Sequence, residues 1–166
     1  MSVPPIAFDP KLIEMLVHQG IPHCRELGVG VEEVTGKRAV LKLPYQERLI
    51  GNPETGIIAG GAVTTLVDTC CGMAVQLALG KLMAIATLDL RIDYLRPSAP
   101  RRDVYAAADC YKLTRQIAFV RAHAWNDDES DPIANCVATF MVGSSDRPIL
   151  PPEAESEARA AVKRKE

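Results

Sequence analysis

The sequence predicts an α+β domain in which an antiparallel sheet wraps around one long helix. Three observations carry this: an almost uncharged stretch of helical period between Thr55 and Gly80, a two-residue alternation before and after it, and the order of the pieces. That order is a short helix, a hairpin, the long helix and then four long strands. The chain divides into a leader with a short helix at 1–26, the domain at 27–143, and an exposed charged tail at 144–166. The tail's acidic start and basic end favour a frayed helix.

The central stretch reads TGIIAGGAVTTLVDTCCGMAVQLALG, and Asp68 is its single formal charge. Val63, Leu66, Val67, Cys70, Ala74, Leu77 and Ala78 recur at helical spacing, so the helix is apolar most of the way round and belongs inside. It is long enough to suggest a membrane span, but Asp68, Thr64, Thr65, Thr69 and Gln76 interrupt it, which indicates the core helix of a soluble protein. A buried carboxylate loses hydration and costs free energy unless something binds it. Asp68 is therefore either satisfied by Thr64 or Thr65, one turn back, or placed there for chemistry. Gly60 and Gly61 open the helix where its N–H groups are unpaired and its dipole is positive. A polarised carbonyl or oxyanion fits such a place, and so does a plain loop-to-helix turn.

Each remaining element has its own signal. Pro10 suits the first turn of a short covering helix capped by Asp9, with Leu12, Ile13, Leu16 and Val17 as its apolar stripe and Gly20 near its end. His18 and His23 flank that end with no acid or thiol at metal spacing, so they read as surface or packing residues. From Leu27 to Leu43 the period is two, turning at Thr35-Gly36-Lys37, which is a hairpin. The loop after Pro44 carries Gly51, Asn52, Pro53 and Gly56 into the long helix. Beyond Gly80, Ala84, Ala86, Leu88, Leu90, Ile92 and Tyr94 take one face of a strand, and Thr87, Asp89, Arg91 and Asp93 take the other. Runs at 103–115, 117–125 and 133–142 each present a face of mostly small residues, which lets a bulky helix pack close. The segment NDDESDP at 126–132 reads as a solvated turn.

Lys and Arg total 19 against 21 Asp and Glu, and the net charge of -2 gives no case for a nucleic-acid or anionic-membrane partner. Five cysteines, odd in number and without CxxC spacing, suit buried reduced thiols rather than disulfides or zinc. The segment MSVPPIAFDPKL lacks a basic region followed by an apolar run, and a cytoplasmic location is the expectation.

The segments GNPETGIIAGGAVTTLVD and ATLDLRIDYLRP together resemble the hotdog-fold acyl-CoA thioesterases, in their phenylacetyl-CoA thioesterase-like branch, over residues 27–142. The resemblance implies that Asp68 serves as general base or nucleophile, that the backbone of Gly60 with Gly61 polarises the thioester carbonyl, and that Asn52 and Thr87 assist. It also implies an acyl-CoA substrate, coenzyme A arriving as part of that substrate with no separate cofactor or metal, and sites built from two subunits of a dimer or tetramer. Arg96, Arg101 and Arg102, around the Pro97–Pro100 turn, form the densest basic cluster for the coenzyme phosphates, ahead of Arg115 and Arg121. Alternation turns Thr87 away from its own helix, so it is either solvated or serves a neighbouring subunit. Many members of the family carry His where this chain has Ala59. That departure keeps a non-catalytic acyl-CoA binding module open, and a hydratase or dehydratase using His123 is the other rival.

Overall fold

A computed structural model describes residues 10–145, without the Leu12 side chain. The Asp9 cap and the tail from 146 onward lie outside the described residues. Helix α1 (Pro10–Gly20) buries Ile13, Leu16 and Val17, as its stripe predicts. It is tied to the sheet by Val31 N–H donating to Glu14 Oε2 at 3.0 Å and by His18 Nε2 donating to the Val29 carbonyl at 2.6 Å. A second helix, α2 (Pro22–Leu27), follows at once, buries Cys24 and Leu27, and ends where Gly28 turns left-handed at φ 71°. Its six residues are too few to show a period, so the sequence reading ran past it.

Strands β1 (Gly30–Thr35) and β2 (Arg38–Leu43) form the hairpin, joined by a turn in which Gly36 has φ 60°. The short pair β3 (Ile50–Asn52) and β4 (Ile57–Ile58) leads into α3 (Gly60–Leu79), which Gly80 stops at φ 66°. Then come β5 (Ile85–Tyr94), β6 (Val104–Leu113), β7 (Ile117–Trp125) and β8 (Ala134–Val142). The main sheet has the order β1-β2-β6-β7-β8-β5 with every pair antiparallel.

This is the hotdog arrangement. The concave face offers Ala106, Ala108, Ala122, Ala124, Ala134 and Ala138, all buried, and the helix lies close against them. How close is shown by Cys70, whose thiol donates to the carbonyls of Ala39 at 3.4 Å and Ala106 at 3.2 Å. Leu66 and Val75 on α3 are fully buried, and such a leucine contributes about 1.5–3 kcal/mol. Although α3 is long and apolar enough to cross a bilayer, it packs in the sheet's concave face, as a core helix does.

Two readings need correcting. Asn126 is buried, not solvated: its Nδ2 donates to the Asp103 carbonyl and its Oδ1 accepts from Ala99 N–H, both at 2.8 Å, while its neighbours in the turn are exposed. In β5 the alternation changes phase, because Thr87 pairs with Phe140 and Asp89 with Thr139, which leaves Leu88 as an extra residue. Ile85 and Thr87 thus share the inward face with Leu90 and Ile92, and Leu88 is thrown outward, 51% exposed.

Candidate active site

The entrance to α3 is held by a close backbone approach. Ala59 N–H donates to the Leu49 carbonyl at 2.8 Å, and a Cβ on Gly51 would stand only 2.8 Å from Ala59 Cα. Ala59 caps the helix with extended backbone, and its carbonyl accepts from Ala62 N–H at 3.0 Å and Val63 N–H at 3.3 Å. The N–H groups of Gly60 and Gly61, the first two helical positions, have no acceptor inside the helix. Gly60 sits beneath Tyr94, whose hydroxyl donates to the Gly60 carbonyl at 2.7 Å; around Gly61 a Cβ would meet nothing within 4 Å.

Two turns further on, Asp68 is half-buried, less enclosed than its apolar neighbours suggest, because it lines a cavity of about 710 Å³. Its Oδ1 accepts a 3.0 Å hydrogen bond from Thr87 Oγ1 of the same chain. This corrects the expectation that Thr87 faces away: the extra residue at Leu88 rotates it inward. Thr64 and Thr65 do not satisfy Asp68, since their hydroxyls donate to the carbonyls of Gly60 at 3.0 Å and Gly61 at 3.1 Å.

Among the described residues no thiol lines the cavity, and Cys24, Cys70 and Cys71 are poor nucleophiles. Burial pushes Cys70 up to about 12 and raises Cys24, and Cys71 is raised by its shared hydrogen bond with Cys136 together with burial. A thiolate is the reactive form. The carboxylate is thus the ready base or nucleophile on this wall.

The other expected residues lie apart from Asp68. Asn52 is exposed in the β3–β4 turn, its Oδ1 accepting from Glu54 N–H at 3.0 Å and its carbonyl from Gly56 N–H at 3.0 Å. Arg96 pairs with Asp131 at 2.8 Å and Arg102 with Asp127 at 3.8 Å, and Arg101, at φ 55°, lays its stem over Gly56. None of these four lines the cavity. His123 is on the outer face of the sheet, bonded to Glu129 Oε1 at 2.8 Å and stacked on Trp125. His23, exposed as a surface residue, also lines the cavity from α2. Tyr94 was also missed as a partner of Gly60; its signal was its phase with Leu90 and Ile92.

In sequence and fold the chain is similar to known thioesterases. The family model described as "Thioesterase superfamily" matches residues 55–133. The medium/long-chain acyl-CoA thioesterase YigI of Salmonella typhimurium is 31% identical over 147 residues, covering 80% of this chain and 93% of that one. A Halobacterium salinarum protein named as an esterase is 41% identical over 90 residues, 52% of this chain and 58% of that one. A Pseudomonas aeruginosa crystal structure superposes with a TM-score of 0.72 at 42% identity, covering 80% of this chain and 97% of the other.

Proposed function

The chain belongs to the thioesterase superfamily, and on that premise we propose that it hydrolyses acyl-CoA thioesters to free acid and coenzyme A with Asp68 as the reacting carboxylate. The observation that carries the reading is the Asp68 carboxyl group, half-buried on a cavity wall and oriented by Thr87. As base, Asp68 takes a proton from water, the water oxygen attacks the acyl carbon, and the C–S bond breaks with the proton passing to the leaving thiolate. As nucleophile it forms an acyl anhydride with loss of the thiolate, and water then cleaves the anhydride. Thr87 holds one carboxylate oxygen in either case.

The Gly60 and Gly61 N–H groups are the donors for the thioester oxygen. Eight residues of helix separate Gly60 from Asp68, about 12 Å at 1.5 Å per residue, so one chain cannot put both against one carbonyl. A second copy must bring its own Asp68 to this chain's Gly60, with Asn52 at the same mouth. The exposed apolar side chains Val137 and Met141 and the open edges β1 and β5 likewise favour assembly into a dimer or tetramer. For the coenzyme phosphates, Arg101 is the readiest cation, because Arg96 and Arg102 already hold carboxylates. The YigI relatives' names point to medium or long acyl chains.

A panel of acyl-CoA substrates with detection of the released thiol tests this. Asp68→Ala and Asp68→Asn should lower kcat by roughly 10²–10⁴ with the fold intact. Turnover within a few-fold of wild type would refute the role of Asp68, and tight binding without hydrolysis by the wild type would leave a binding module. Light scattering that finds only an 18.0 kDa monomer would refute the two-copy site.

A further inference from the structure

The cavity follows one stripe of α3. Asp68, Gly72 and Gln76 recur at four-residue spacing along it, and Ile85, Leu90 and Phe140 of the sheet stand opposite. Leu16, Val17 and Ile21 close the third side from the α1–α2 corner. Thr69, the polar side chain next to Asp68, is occupied: its Oγ1 and Cys24 Sγ share a 3.2 Å hydrogen bond.

The far end is a fixed wall. Gln76 Nε2 donates to the Met83 carbonyl at 2.8 Å and Gln76 Oε1 accepts from Met83 N–H at 3.0 Å, so the amide is satisfied twice by one backbone unit. Gln76 is only 8% exposed, which leaves its amide unavailable to a polar ligand and its side chain unable to swing aside cheaply. Gly72 lies halfway along the stripe. A Cβ there would stand in van der Waals contact with Ile85 Cδ1 at 3.6 Å and Phe140 Cε1 at 3.9 Å, so no acyl chain passes between them and a larger side chain at this position has to turn into the cavity.

Length follows from the helix. Asp68 to Gln76 is eight residues, about 12 Å. An extended chain advances roughly 3.5 Å per three bonds, so about ten bonds fill that distance and about five reach Gly72. Resting on the thioesterase reading, we propose that the slot takes a straight saturated acyl chain of about ten carbons, with its carbonyl at Asp68 and its methyl end against the Gln76–Met83 wall. Gly72 is then the residue that admits chains longer than about five carbons.

The test measures kcat/KM for straight-chain acyl-CoA substrates of four to sixteen carbons, together with phenylacetyl-CoA, on the wild type, Gly72→Leu and Met83→Ala. In the wild type, kcat/KM should rise roughly fourfold per added methylene until about ten carbons and gain nothing beyond. Decanoyl-CoA should outperform phenylacetyl-CoA, whose acyl group ends short of the far wall. In Gly72→Leu the rise should stop at about five carbons, lowering the ten-to-four-carbon ratio at least a hundredfold. Met83→Ala should move the limit the other way, by two or three carbons, and it reads the wall even if Gly72→Leu fails to fold. Hydrolysis whose length profile neither variant alters overturns the slot assignment and leaves the thioesterase reading standing. If the wild type hydrolyses none of the series, the thioesterase reading falls, and calorimetry with free fatty acids of the same lengths judges the slot. A break in affinity near ten carbons that Met83→Ala lengthens supports it, and a profile without a break overturns it.

Discussion

Thr87 Oγ1 donates to Asp68 Oδ1 at 3.0 Å, and a single extra residue in β5 turns it there. Leu88 has no partner in β8, so the side chains before it change face while those after it keep theirs. The hydroxyl thereby fixes the orientation of the carboxyl group.

Removing that hydroxyl should lower kcat. A hydrogen bond to a charged group contributes about 1.5–3 kcal/mol, which sets the expected loss for Thr87→Val at roughly tenfold to hundredfold. The loss should fall on kcat with little change in KM, since Thr87 orients Asp68. Thr87→Ser should recover most of it, and a valine variant as fast as wild type would remove Thr87 from the site.

Ala59→His separates an enzyme from a binding module. If backbone N–H groups at Gly60 and Gly61 polarise the carbonyl, the imidazole adds no required donor, and turnover should move by less than about tenfold, or about 1.4 kcal/mol of barrier. A gain of a hundredfold or more in kcat over a barely active wild type would mean that the chain is a sensor with a residual site.

Gly51 should tolerate no side chain. A Cβ at 2.8 Å from Ala59 Cα forces backbone to move, and such overpacking costs about 1–3 kcal/mol. Gly51→Ala should therefore lower the melting temperature by several degrees and, by displacing Ala59 and the helix entrance behind it, lower kcat as well. Gly61→Ala, whose Cβ meets nothing within 4 Å, should leave the melting temperature unchanged or raise it slightly.

Acid stability has an identifiable contributor in Asp103. The Lys42 ammonium, at 2.8 Å, and the Tyr45 N–H, at 2.7 Å, hold its carboxylate below the usual carboxylate range. A folded value below the unfolded one, about 3.9, means that the stabilisation is present above that pH and is lost as pH falls through the folded value. The pair is partly exposed, so about 1 kcal/mol is at stake, less at high salt. Asp103→Asn should flatten this part of the thermal-stability profile below about pH 4, as followed by circular dichroism; an unchanged profile would exclude the pair.

The frame was legible because its signals are long. Twenty residues of helical period and three strands with one small face leave few ways to pack, and Asp68 stood out as the one charge among apolar neighbours. What escaped was decided by single residues or by the third dimension. Alternation cannot see an inserted Leu88, so it sent Thr87 to the wrong face. Asn126 sits among acidic turn residues and still folds inward to join Asp103 and Ala99. The roles given to Asn52 and the arginines concern a second copy and a bound coenzyme, and neither leaves a mark in the local pattern of one chain.

The five thiols, every one of them buried, make the protein chemically quiet toward a sulfhydryl reagent while it is folded. A dye that reports released coenzyme A therefore reads product over a dark background. Heating or denaturant reverses this, since each molecule that opens contributes up to five new reactive sulfurs. One reagent thus counts turnovers in the native protein and unfolded molecules in the same sample, and a delayed rise in signal on warming distinguishes loss of the fold from catalysis.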